Sequence, residues 1–151
     1  MSDFFHALFS NTCLVAAVTA WTLAQLIKLP LEYFLHHEWN WRLLISAGGM
    51  PSSHSALVTG VAVAIGLTQG FNSPIFAVAI VMAMIVIYDA TGVRRHAGDQ
   101  ARVINLMIDE LLTGHPLAEK ELKEVLGHTP REVVAGIALG IIVAILVVNL
   151  Q

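Results

Sequence analysis

Two short strings combine the residue types that bind phosphate and transfer phosphoryl groups. The first, MPSSHS, places Ser52, Ser53 and His54 at the start of an apolar run. Serine side chains cap the free N–H groups of a helix start, and those groups together with the helix dipole favour a bound phosphate. A histidine on that first turn can exchange a proton with an oxygen of the anion. A simple cap followed by a solvated histidine is the alternative interpretation.

The second string, YDATGVRRHAGDQAR, contains two arginines, a histidine and two carboxylates. Arg94 and Arg95 form a pair that could hold a phosphate and offset the charge that grows on it during transfer. His96 is a candidate nucleophile, and Asp89 or Asp99 could hold its other ring nitrogen. The alternative is a basic cluster that anchors the chain to lipid headgroups.

The composition places both strings in a membrane protein. The 151 residues are 56% hydrophobic and 13% charged, with a mean hydropathy of +0.72. These values exclude an ordinary soluble domain, and a net charge of −3 without a basic tract argues against a nucleic-acid partner. The single cysteine, Cys13, excludes an intrachain disulfide and a cysteine-cluster metal site. The length fits one membrane-embedded domain over residues 1–151.

Four apolar stretches approach the length of about 20 residues that a transmembrane helix needs. They predict an all-α fold, an integral membrane helical bundle of about four transmembrane helices with interfacial helices. Residues 69–74 predict a tight turn, and Thr129, Pro130 and Glu132 predict a capping box that begins the last span. Small residues four apart predict close helix packing, most clearly in the two rows that contain glycine. The four predicted spans are residues 5–27, 55–67, 74–88 and 133–150. The rows of small residues are Ala16/Ala20/Ala24, Ala56/Gly60/Ala64 and Gly136/Gly140/Ala144, and the spacing of Ala79 and Ala83 is attributed to chance.

The basic residues predict the orientation. All eight lie in two segments, 28–42 and 94–131. A chain that crosses the membrane four times has both of these segments on the same side of the membrane. Basic loops are cytoplasmic, so we expect both termini outside a plasma (inner) membrane. Lys28 closes the first span on the basic face, where a lone lysine usually snorkels to the surface. Between the spans we expect an interfacial piece over 31–49, a helix from Asp99 to about residue 112, a break at residue 114 and a helix over 116–126, with His128 as a polar interface residue.

These residues resemble the divergent branch of the type-2 phosphatidic acid phosphatase superfamily, which is related to acid phosphatases and vanadium-dependent haloperoxidases. The resemblance rests on Lys28 and on GGMPSSHSA, YDATGVRRHAGDQA and LGHTPREV, and it covers about residues 15–145. Superfamily enzymes use a lysine motif, a Pro-Ser-Gly-His motif and a Ser-Arg-x5-His-x3-Asp motif on a helical bundle. The resemblance implies that His54 is the general acid and that the third-motif histidine is the nucleophile. Phosphate would be bound by Lys28, by Arg94 or Arg95, and by the backbone of residues 52–54, which includes Ser52 and Ser53.

The third motif departs from the superfamily spacing. The nucleophile position is a glutamine when counted from Arg94 and an alanine when counted from the next arginine. His96 lies only two residues past Arg94. Either His96 acts from a rearranged loop, or the two-histidine scheme is absent. In the second case His54, or a metal-activated water held by Asp89 and Asp99, would have to act.

The sequence therefore predicts an integral membrane phosphatase. Its substrate would be a phosphomonoester or pyrophosphate of a lipid or isoprenoid carrier at the cytoplasmic interface, and the two-histidine scheme requires no cofactor. Expected partners are that substrate and membrane lipids, with a homodimer as a further possibility. The alternatives are a non-catalytic membrane protein that binds anionic headgroups or a partner on a decayed phosphatase scaffold, and a small transporter or flippase subunit.

Overall fold

The computed structural model describes residues 2–37, 39, 41, 48–111 and 127–151. Every regular element in these ranges is an α-helix, which confirms the predicted all-α class. The helices are α1 Ser2–Phe9, α2 Thr12–His36, α3 Ser53–Gln69, α4 Pro74–Thr91, α5 Val93–Leu111 and α6 Pro130–Leu150.

Helix α3 occupies the centre of the bundle. It packs against α2, α4 and α6, and α2 and α6 also contact each other. Helix α1 lies against α2, and α5 lies against α4. Because α3 runs antiparallel to its hairpin partner α4, the start of α3 and the end of α4 lie at the same end of the bundle.

Small side chains form the contacts between α2, α3 and α6. Ala16, Ala20 and Ala24 on α2 are fully buried, as are the alanines of the rows on α3 and α6. A Cβ added to Gly140 would lie 2.6 Å from the carbonyl oxygen of Ala56, so the backbones of α6 and α3 touch. The predicted close packing of these rows is confirmed. Without a hydrophobic driving force between helices in lipid, such contact stabilises the bundle through van der Waals packing.

Three segments of the described chain are long and apolar enough to cross a membrane. They are Thr12–Phe34, Pro74–Ile108, which contains α4, and Pro130–Leu150. Helix α3 has 17 residues, the lower end of the length that a spanning helix requires. The membrane class is thus confirmed, and the count of four spans stays a prediction.

The N-terminal apolar segment is two helices, whereas the sequence predicted one span over 5–27. Helix α1 ends at Phe9, and Asn11 begins α2 by accepting a hydrogen bond from the Leu14 N–H at 3.1 Å. An asparagine side chain competes with helical backbone bonding and favours a cap, which explains the break.

Replacing Asn11 with alanine is expected to lower the stability of the protein by about 1 kcal/mol, because the first turn of α2 loses its cap. The thermal midpoint of the detergent-solubilised protein measures this. Asn11→Ser, which keeps a capping oxygen, is the matched control and should stay close to the parent; equal midpoints for Asn11→Ala and the parent would contradict the assignment.

Other boundaries also differ from the sequence interpretation. Helix α2 does not close at Lys28 but continues through Pro30 to His36, a tolerance that membrane helices show for proline. Helix α5 begins at Val93, six residues before the predicted Asp99. The 69–74 turn and the capping box of Thr129 are confirmed. Residues 31–36 of the predicted interfacial piece belong instead to α2. Residues 38, 40 and 42–47 of that piece, the predicted break at residue 114 and the helix over 116–126 lie outside the described residues.

Candidate functional site

Four chain segments meet at one end of the bundle: the second half of α2, the start of α3, the end of α4 and the start of α6. Two backbone hydrogen bonds join the last three of these segments. The Ser52 N–H donates to the carbonyl oxygen of Glu132 at 2.9 Å, and the His128 N–H donates to the carbonyl oxygen of Ala90 at 2.9 Å. The strings MPSSHS, YDATG and LGHTPREV are therefore adjacent in space.

The Ser52 side chain caps α3. Its Oγ accepts from the Ser55 N–H at 3.3 Å and from the Ser55 hydroxyl at 3.0 Å. Ser52, Ser53 and Ser55 are at most 1% exposed. The first N–H groups of a helix have no acceptor within the helix, and they lie at the positive end of its dipole. This is the local arrangement that the sequence predicted for an anion.

Glu132 holds the ring of His128. Its Oε2 lies 2.8 Å from His128 Nδ1, and the same carboxylate accepts the Thr129 N–H at 3.3 Å in the capping box. An ionised carboxylate can only accept, so Nδ1 carries the proton and the lone pair of the neutral ring is on Nε2. His128 and Glu132 thus form a dyad in which the carboxylate sets the orientation and the tautomer of the histidine.

The Nε2 atom of His128 is a buried polar atom on the ring that Glu132 holds. The residue is 3% exposed, and Nε2 is buried with no hydrogen-bond partner among the described residues. The ring centres of His128 and His54 are 6.3 Å apart. A buried polar atom without a partner is costly, and its persistence points to a ligand that uses it.

Lys28 adds a buried positive charge. It is 1% exposed and interacts electrostatically with Glu132, so it does not snorkel to the membrane surface as a lone lysine at a helix end usually does. A charged group inside a membrane bundle is expensive unless it serves a partner or a ligand. Among the described residues, the candidate site therefore includes Lys28, the start of α3, the neighbouring rings of His54 and His128, and the Glu132 carboxylate.

Replacing Lys28 with methionine should weaken the binding of orthovanadate, a phosphate analogue, by about tenfold to a hundredfold, because a charge-assisted contact is lost. Isothermal titration of the purified protein measures the Kd. Arg131→Met, which removes an exposed cation at the same end of the bundle, is the control. An unchanged Kd in a folded Lys28→Met protein would exclude Lys28 from the site.

The remaining predicted residues lie elsewhere or outside the described side chains. Asp89 is half-buried and directly precedes Ala90, whose carbonyl oxygen binds His128. His96 and Asp99 are exposed on α5, and α5 contacts only α4 among the helices that the structure describes. The side chains of Arg94 and Arg95 are outside the described part.

Metal ligands are not grouped in the described ranges. No set of three or more histidine, cysteine, aspartate or glutamate side chains there could hold an ion.

The sequence interpretation missed the dyad. The sequence alone predicts His128 as an interface residue and Glu132 only as part of a capping box. The available signal was the spacing: His128 and Glu132 are four apart, like the histidine and aspartate of the superfamily's His-x3-Asp motif. In the superfamily motif the histidine follows the arginine closely, whereas His128 lies far along the chain from Arg94.

Comparison with known proteins identifies the family. A family model described as the Divergent PAP2 family matches residues 9–143, so the chain belongs to that family and the resemblance to the phosphatidic acid phosphatase superfamily is confirmed. The chain is 44% identical to the uncharacterized membrane protein YuiD of Bacillus subtilis (strain 168), over 91% of this chain and 94% of the relative. No solved structure matches.

Proposed function

We propose that this protein is an integral membrane phosphatase that hydrolyses a phosphomonoester or pyrophosphate carried by a lipid or isoprenoid. The observation that carries the proposal is the buried Nε2 of His128, which has no hydrogen-bond partner among the described residues and belongs to a ring centred 6.3 Å from that of His54. The dyad supplies the nucleophile that the third motif lacks at its usual place. His96 and Asp99 remain alternative candidates for that role.

In the first step, His128 Nε2 attacks the phosphorus atom. The N–P bond forms while the P–O bond to the leaving group breaks, and His54 gives the leaving oxygen its proton. Glu132 stabilises the positive charge that develops on the His128 ring. Lys28 and the N–H groups at the start of α3 offset the charge on the phosphoryl oxygens.

In the second step, water attacks the phosphohistidine. Neutral His54 accepts a proton from the water, the N–P bond breaks, and inorganic phosphate leaves. The sequence of events regenerates neutral His128 and protonated His54, so the residues of this chain complete the cycle.

The placement of the site favours an amphiphilic substrate. The site lies where α3 and α6 begin, at an end of the apolar helices, so a headgroup can enter while its chain stays in lipid. The distribution of the basic residues supports a cytoplasmic location for this end, with both termini outside a plasma membrane.

Purified protein should release phosphate from phosphatidic acid or an isoprenyl diphosphate in mixed micelles. His54→Asn should lower kcat by about 10²–10⁴-fold, the usual contribution of a general acid–base. His37→Asn is the matched control, because His37 is an exposed C-cap with φ 58°, a conformation that asparagine accepts. Wild-type protein that binds these lipids without releasing phosphate would refute the phosphatase and favour the headgroup-binding alternative.

A further inference from the structure

The outer face of α4 carries an open groove that ends beside the candidate site. Its volume is about 710 Å³, within the range of ligand pockets. In the part of the chain that the structure describes, its lining comes from α4: Met84, Ile85, Ile87, Tyr88, Asp89 and Thr91.

The groove changes character along its length. Met84 and Ile85 are more than half exposed and apolar, and they lie within the candidate span that contains α4. Asp89 and Thr91, at the end of the helix, are polar. A groove that is apolar on the hydrocarbon side and polar at the helix end matches a molecule with a long chain and a charged head.

The polar end of the groove is connected to the dyad. Ala90 follows Asp89 directly, and its carbonyl oxygen accepts the His128 N–H at 2.9 Å. The residue that carries the proposed nucleophile is therefore bonded to the end of α4, beside the polar end of the groove.

We propose that this groove holds the hydrocarbon chain of the substrate and makes the protein select long-chain phosphate esters over water-soluble ones. The inference rests on the proposed function, because the chain belongs to the same substrate whose phosphate the candidate site binds. Helix α4 would recognise this chain, and other residues would bind the phosphate.

The test compares a dodecyl phosphate with a butyl phosphate as substrates of the Ile85→Trp protein. The indole fills the groove, so we expect KM for the dodecyl ester to rise by about tenfold, the value of a few lost methylene contacts. The kcat/KM for the butyl ester should stay within about twofold. Val78→Trp, on the same helix and also exposed but outside the groove, is the control and should change neither. Equal effects of Ile85→Trp on both esters, or no effect on either, would overturn the proposal.

Binding of non-hydrolysable phosphonates separates this inference from the phosphatase itself. If the wild-type protein hydrolyses neither ester, the proposed function fails, and titration with dodecylphosphonate and methylphosphonate still tests the groove. Weaker binding of dodecylphosphonate alone in Ile85→Trp supports the groove. Unchanged dodecylphosphonate binding overturns it.

Discussion

Replacing His128 with asparagine is expected to lower phosphate release by about 10³-fold or more, the usual effect of losing a nucleophile. Asparagine keeps a polar group beside Glu132 but offers no ring nitrogen to attack phosphorus. The His128 N–H, which binds the carbonyl oxygen of Ala90, is part of the backbone and is retained. The bundle should therefore stay folded, with a thermal midpoint near that of the parent.

His96→Asn is the control variant for this experiment, because His96 is the alternative candidate for the nucleophile. His96 is exposed on α5, so we expect its substitution to change turnover by no more than about twofold. The measurement is kcat for the same lipid phosphate in all three proteins. A large loss in His96→Asn together with full turnover in His128→Asn would return the nucleophile to the second string and refute the dyad.

Adding a methyl group at Gly136 should damage both the fold and the site. A Cβ there would collide with the carbonyl oxygen of Ser52 and would lie 3.0 Å from the Ser55 Cβ. The Ser52 oxygen also accepts the Ala56 N–H, and the Ser52 N–H binds Glu132, so the cap cannot move away without breaking these bonds. We expect Gly136→Ala to cost about 1–3 kcal/mol of stability and to weaken vanadate binding by tenfold or more.

The thermal midpoint and the vanadate Kd of Gly136→Ala measure the two effects separately. Ala138→Val, which also enlarges a small residue of α6 but at an exposed position, should leave both close to the parent. A Gly136→Ala protein with the parent's midpoint and Kd would show that α6 and the start of α3 are not in contact.

Most of the helical framework could be predicted from the sequence, because apolar runs, caps and small-residue rows are local signals. Thr129 and Glu132 indicate a helix start whatever they pack against, and Gly140 indicates close approach. The helix break at Asn11 could not be predicted, because a long apolar run outweighs one polar residue when hydropathy is averaged along the chain. The continuation of α2 past Pro30 depends on the neighbouring helices of the bundle, which no local pattern contains.

The candidate site was predicted in part. Lys28 and the 52–54 string were recognised because cations and serine-rich helix starts carry phosphate chemistry on their own. His128 was not recognised, because its importance arises from the packing that places it against His54. The capping role accounts for Glu132 completely at the level of the sequence, so the capping pattern by itself does not indicate its contact with His128.

Mapping the phosphorylated residue tests the central claim most directly. Purified protein is mixed with a ³²P-labelled lipid phosphate, quenched in alkali to preserve phosphohistidine, digested and sequenced by mass spectrometry. We predict phosphate on His128 in the parent protein and none on that peptide in His128→Asn. Phosphate on His96, or turnover without any phosphohistidine, would contradict the assignment of His128 as the nucleophile.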